Sequence, residues 1–181
     1  MDLSIISECY IDTNLIETII PPKKGYNHQK GAGTVLRLMQ GKLNDKFAVG
    51  IVDKDKKRLK YIEEFNSEID IGDLQLFKHK DPHKHHFLIL INPAIEKWIM
   101  NNAKIVGISL EDFGLPDNLK ELTKKTKTIT SKNDTTFKKL FLELKKQKSK
   151  NVLILSEWIS YLKNNPYKVD LTVMKEIADY G

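Results

Sequence analysis

The chain has 181 residues, 40% of them hydrophobic and 30% charged, a balance that fits one folded domain or one domain with a helical appendix. No apolar run approaches the roughly 20 residues of a membrane helix, and the single cysteine, Cys9, excludes an internal disulfide framework and a cysteine-built zinc cluster. The net charge of +6 is unevenly placed: Lys120 to Lys150 holds eleven lysines against three acids, a local +8 that leaves −2 on the rest.

The N-terminus lacks a basic stretch and a small-residue cleavage site, so a cytoplasmic address is expected. Leu3 to Ser7 reads as a short buried strand ending at Glu8. Asp12, Thr13 and Asn14 favour helix initiation, and Leu15, Ile16, Ile19 and Ile20 follow at helical spacing until Pro21-Pro22. Pro22 to Gly33 reads as a polar loop, and Gly33 to Gly41 as a short helix with Val35, Leu36 and Met39 on its apolar face. Phe47 to Val52 is a continuous apolar run, the pattern of a parallel strand buried on both faces. It runs into Asp53-Lys54-Asp55 and then a charged helical stretch with Leu59, Ile62 and Phe65.

Leu74 to Phe77 and Phe87 to Ile91 are two further strands, and Asn92 and Pro93 are expected as N-cap and first residue of the next helix. Gly107 to Lys132 reads as irregular with at most a short helix. Asp134 is placed to cap a helix carrying Phe137, Leu140, Phe141 and Leu144, and Val152 to Leu162 and Leu171 to Ile177 are two more helices. The order predicts an α/β fold, a mostly parallel sheet flanked by helices over residues 1–105, with a helical C-terminal extension over 106–181 packed on it.

Three acids stand where an open α/β sheet collects ligands, outside the carboxyl ends of its strands: Glu8 after the first strand, Asp53 and Asp55 after FAVGIV. Residues two apart on extended chain project to one side, so Asp53 and Asp55 can converge on one cation. An all-carboxylate set favours Mg²⁺ or Mn²⁺, which polarise phosphodiester oxygens and activate water. The alternative is a capped turn, with Glu8 paired to Lys54. The basic 120–150 segment suggests a polyanion, nucleic acid above all, with Lys138, Lys139, Lys145, Lys146 and Lys148 turned outward; a lysine-rich solvated face is the competing reading.

Glu8, the helix LIETII, the segment HQKGAGTVLRLM and the strand FAVGIVDKD together resemble a Toprim domain. INPAIEKWI, residues 91 to 99, is similar to a segment of RloB-type proteins, small Toprim-like proteins of prokaryotic defence loci. The resemblance covers roughly residues 3 to 102. It implies a Toprim/Rossmann-like sheet and a Mg²⁺-dependent nuclease acting on DNA or RNA, with a possible defence-system partner protein. Glu8 would act as general acid/base or metal ligand, Asp53 and Asp55 as metal ligands, and Glu96 would join the site. Cys9 stands where Toprim proteins usually carry glycine after the glutamate, which leaves a non-catalytic nucleic-acid- or partner-binding module as an alternative.

A further alternative starts from Tyr10-Ile11-Asp12-Thr13-Asn14, which resembles the opening of a PIN-type ribonuclease and would make Asp12 the acid of the first strand. His79, His83, His85 and His86 fall within eight residues, but Lys78, Lys80 and Lys84 would repel a transition metal, so phosphate contact ranks above zinc. The glycines Gly31 and Gly33 lack the lysine and hydroxyl residue of a P-loop.

Overall fold

Continuous apolar runs along the central strands β3 (Ala48–Asp53) and β6 (His86–Ile91) set the architecture, because they give the sheet two faces that both need cover. The computed structural model describes residues 1–54 and 60–180; Asp55 and Leu59 lie outside the described residues. The strands are β1 (Asp2–Ser7), β2 (Tyr26–His28), β3 (Ala48–Asp53), β4 (Phe65–Asp70), β5 (Leu74–His79) and β6 (His86–Ile91). The helices are α1 (Tyr10–Ile19), α2 (Ala32–Gln40), α3 (Ile95–Ile105), α4 (Leu119–Thr126), α5 (Thr135–Lys146), α6 (Lys150–Asn164) and α7 (Leu171–Tyr180). None among the described residues is long and apolar enough to cross a membrane.

One six-stranded sheet runs in the order β2-β1-β3-β6-β5-β4. Neighbours among β2, β1, β3 and β6 pair parallel, whereas β6 with β5 and β5 with β4 pair antiparallel. Three of the five pairings are parallel, so the expectation of a mostly parallel sheet holds in part, but the β6-β5-β4 side makes the sheet mixed. Three residues join β4 to β5 and six join β5 to β6. A parallel crossover needs a dozen or more, so these strands can only turn back on themselves.

Two strands escaped the periodicity. β2 lies in the stretch read as a polar loop, held by Tyr26, whose N–H donates to Glu17 Oε1 at 2.9 Å and whose hydroxyl donates to the Ile20 carbonyl at 2.9 Å. The helix expected through Ile62 and Phe65 is instead a 3-10 turn (Lys60–Glu64) leading into the edge strand β4. On β4 only Phe65 and Ile69 are buried, so its polar residues face solvent and conceal it.

Side chains at alternate positions divide between two cores. Ile5, Val49, Ile51, Phe87, Ile89 and Ile91 face a large core shared with α1, α3, α5, α6 and α7, in which Trp98 and Trp158 are fully buried. Ile6, Ala48, Val52, Leu88 and Leu90 face a smaller one under Val35, Leu36 and Met39 of α2. Residues from the 1–105 and 106–181 parts thus share one apolar core. Buried Asn14 of α1 donates through Nδ2 to the carbonyls of Ser131 (2.7 Å) and Asp134 (3.1 Å), and Lys145 Nζ donates to the Ile19 carbonyl at 2.7 Å. Asp134 caps α5 as expected, accepting the Thr136 N–H at 2.8 Å. The 107–132 stretch holds α4 and two 3-10 turns (Glu111–Phe113 and Ile129–Asn133).

At the smaller core β3 passes α2 closely: a Cβ on Gly50 would stand 2.7 Å from Leu88 Cδ2 and 2.9 Å from both Met39 Sδ and Val35 Cγ1. Gly50→Val therefore overfills this face. It is expected to cost about 1–3 kcal/mol, read as a lower urea midpoint at unchanged slope.

Candidate functional site

β1 and β3 are neighbours in register, Ser7 opposite Ile51, and Asp53 at the end of β3 is opposite Ile91 of β6. The chain leaving β1 continues the pairing, with the Glu8 N–H donating to the Ile51 carbonyl at 3.1 Å, and the Lys54 N–H does the same to Ile91 at 2.8 Å. Glu8 and Asp53 are thereby brought together although 45 residues separate them, and Glu8 Oε2 accepts the Asp53 N–H at 2.9 Å.

Asp53 in turn reaches α3. That helix starts at Ile95 with Ala94 as its N-cap, not at Pro93 behind Asn92 as expected. Alanine has no side chain to satisfy a first-turn N–H. Asp53 Oδ1 supplies the acceptor instead, taking the Ile95 N–H at 2.9 Å. Asn92 is used elsewhere, its Nδ2 donating to the Gly72 carbonyl at 2.9 Å. Glu96 follows on the first turn of α3, half-buried, and its Oε1 accepts the Thr126 hydroxyl at 2.6 Å from the end of α4.

Glu8, Asp53 and Glu96 line one cleft of about 570 Å³, with Tyr10, His28, Lys30, Lys54, Thr126 and Lys127 also on its walls. The structure thus brings together three of the acids singled out from the sequence; the fourth, Asp55, lies outside the described residues. Among the described residues, no three His, Cys, Asp or Glu side chains already stand as a metal-binding group.

A further acid stands behind this wall. Asp12 is the third residue of α1, not part of the first strand as the PIN-type alternative requires, and it is 1% exposed. Its Oδ2 accepts the Cys9 N–H at 3.1 Å, so it does serve the start of the helix, from two residues inside it. Its Oδ1 is buried with no hydrogen-bond partner among the described residues. Burial first, then the nearby Glu8 and Glu96 charges, push the Asp12 carboxyl up to about 7. Asp53 rises to about 9, through burial and then the charges of Asp12, Glu8 and Glu96, against the lowering effect of the Ile95 N–H. The Cys9 thiol is pushed far up by burial and by Asp12, which makes it a poor nucleophile.

On the same cleft, Tyr10 and His28 are stacked, ring centroids 4.1 Å apart and planes 20° off parallel. Thr13 Oγ1 donates to the Cys9 carbonyl at 2.8 Å. Its 3.1 Å contact with His28 Nδ1 therefore has the imidazole N–H as donor. His28 Nε2 is then an acceptor, buried without a partner among the described residues, and burial holds the ring below its usual pKa.

The other sequence candidates lie elsewhere. His79 and His86 are buried near the opposite end of β6, some 16 Å from Ile91 at about 3.3 Å per residue. His86 lies between the Tyr61 hydroxyl (2.6 Å) and the Leu43 carbonyl (2.9 Å), while His79 Nε2 meets Glu64 at 3.2 Å. Both rings pin the base of the sheet. Of the five lysines, Lys139, Lys146 and Lys148 are exposed and Lys138 is half-buried, whereas Lys145 is spent on the Ile19 carbonyl. None of the five lines the cleft, where Lys30, Lys54 and Lys127 stand.

The raised carboxyls have a definite pH signature in metal-free protein. A folded carboxyl titrating above its unfolded value binds more protons than the unfolded chain, so stability falls as pH rises from about 4 toward 9. Asp53→Asn keeps an oxygen for the Ile95 N–H and removes the charge. In chelator at pH 8 it is expected to raise the Tm by several degrees, at about 2–4 °C per kcal/mol, a gain that vanishes toward pH 4. A Tm difference independent of pH would refute this account of the acids.

No known protein family, curated protein or solved structure matches the chain.

Proposed function

We propose that the chain is a Mg²⁺- or Mn²⁺-dependent nuclease that cleaves phosphodiester bonds of DNA or RNA at the Glu8–Asp53 cleft. The observation that carries this is the crowding of three acids, Glu8, Asp12 and Glu96, around Asp53, where Glu8 accepts the Asp53 N–H and each charge adds to the cost of ionising Asp53. Such a group is relieved by a proton or by a cation, and carboxylate oxygens suit a hard divalent ion. Asp12 Oδ1, buried and without a partner among the described residues, fits that deficit of positive charge. The resemblance of FAVGIVDKD and INPAIEKWI to Toprim and RloB-type segments supports the same reading.

Glu8, Asp53 and Asp55 would hold the ion, which when bound polarises the scissile phosphate and activates water. The Asp53 N–H orients Glu8, and the Ile95 N–H orients Asp53, so both carboxylates are fixed before substrate arrives. Glu8 is the residue suited to move a proton to or from the reacting oxygen. Thr126 holds Glu96 at the side of the cleft, and Lys30, Lys54 and Lys127 are placed to neutralise flanking phosphates. A module that binds nucleic acid without cutting it is the second reading, favoured by the absence of a ready-made three-ligand group among the described residues.

Cleavage of labelled single- and double-stranded oligonucleotides, with Mg²⁺, Mn²⁺ or chelator, tests the proposal. Asp53→Asn and Asp55→Asn should each lower the metal-dependent rate at least 10²-fold while circular dichroism stays unchanged. Activity that persists in the double variant sinks the assignment. Binding with no metal effect on rate or Tm selects the non-catalytic reading.

The exposed lysines provide an independent check. Changing Lys139, Lys146 and Lys148 to glutamine is expected to flatten the log–log salt dependence of nucleic-acid binding by about 0.7–0.9 per lost phosphate contact. An unchanged slope makes this surface a solvated face and leaves binding to the lysines of the cleft.

A further inference from the structure

We infer that the nucleic acid taken by this cleft is unpaired, with one base laid on the Tyr10–His28 stack and its phosphate turned toward the acids. This rests on the nuclease reading for the role of the acids and adds the strandedness of the substrate.

The lining of the cleft has two unlike parts. Glu8, Asp53 and Glu96 make one of them anionic. The other carries two rings in parallel contact, Tyr10 on the first turn of α1 and His28 at the end of β2. The stack is pre-organised, since Thr13 accepts the His28 Nδ1–H and Tyr10 belongs to the helix that supplies Thr13. Tyr10 and His28 are only half-buried, so the pair keeps a surface on the cleft. An aromatic face presented to an open cleft is a seat for a flat group, and every base has a π-face to lay on it.

Lys30 lies beside this pair, with Lys127 also on the wall. Both suit the phosphates on either side of a seated nucleotide. Base and phosphate contacts thus share one space of about 570 Å³, which suits a nucleotide-sized group rather than a helix. A base inside a duplex is already stacked on both faces and cannot reach a ring recessed in a cleft. Only a single strand, a loop, an end or an extruded nucleotide offers one. Stacking carries no hydrogen-bond code, so weak sequence preference accompanies this mode.

The test uses the full-length chain carrying Asp53→Asn, so that binding is read without cleavage. The probes are oligo-dT and oligo-rU of about 12 nucleotides, one central 2-aminopurine reporter in each, and a blunt duplex of the same length. Single strands are expected to bind tighter than the duplex and to quench the 2-aminopurine. A further Tyr10→Leu change should weaken single-strand binding by about 5- to 100-fold and remove the quenching, while Tyr10→Trp preserves both. The dT and rU arms show whether DNA, RNA or either is held.

Duplex binding as tight as single-strand binding, or an unchanged affinity in a folded Tyr10→Leu protein, overturns the inference. Should that variant not fold, the reporter decides in its parent, where an unquenched base overturns it. The two proposals fail separately: metal-dependent cleavage confined to duplex removes this one alone. A quenched, bound single strand that the unaltered chain never cuts removes the nuclease reading alone.

Discussion

The parallel register of β1, β3 and β6 is the constraint on which the rest depends. Because these three strands run side by side and end close together, whatever follows each of them is delivered to one edge of the sheet. Glu8, Asp53 and the start of α3 meet there. The bonds that tie them, Asp53 N–H to Glu8 and Ile95 N–H to Asp53, run from strand exit to strand exit. The antiparallel strands β5 and β4 carry no acid of the cleft; buried His79 of β5, with His86 at the start of β6, stiffens the other end.

The edge is electrostatically expensive. Asp12, 1% exposed, and Asp53 carry carboxyls raised by burial and by the charges of Glu8 and Glu96, and so oppose folding at neutral pH when no cation is present. Backbone N–H groups offset part of this, since Cys9, Asp53 and Ile95 each donate to a different one of these acids. A helix N-terminus adds a favourable field at Asp12 and another at Asp53. The large apolar core behind the edge supplies the rest, with two fully buried tryptophans. Strain of this kind at a cleft, supported by packing elsewhere, is the usual form of a site built to hold something.

How much of this was legible in the sequence depended on the length of each signal. The continuous run FAVGIV declared a strand buried on both faces, and the acids at its end followed from where such strands end. Glu96 entered through the resemblance of INPAIEKWI, a segment that follows another strand. Tyr26-Asn27-His28 is too short for a period of two to show, so β2 and with it His28 escaped notice. Thr126 and Lys127 reach the cleft through α4, across a fold that no local pattern encodes. Asp12 was visible as a helix starter and as the acid of the PIN-type alternative, but nothing in a sequence says that a capping carboxylate also lies behind three others. The lysines misled for a related reason: charge density locates a basic surface but not the hydrogen bond that binds Lys145 to Ile19.

The bonds from Asn14 to Ser131 and Asp134 bear on the integrity of the chain. Lys127 to Thr130 is an exposed stretch just before this anchor. A protease cutting there would break the covalent path between sheet and C-terminal helices without touching the core they share. The two pieces would remain associated, held by α1 against α5 and by the Asn14 and Lys145 bonds. The protein therefore has the makings of a split system, in which residues 1–127 and 128–181 reassemble as separate polypeptides and rebuild the large core by complementation.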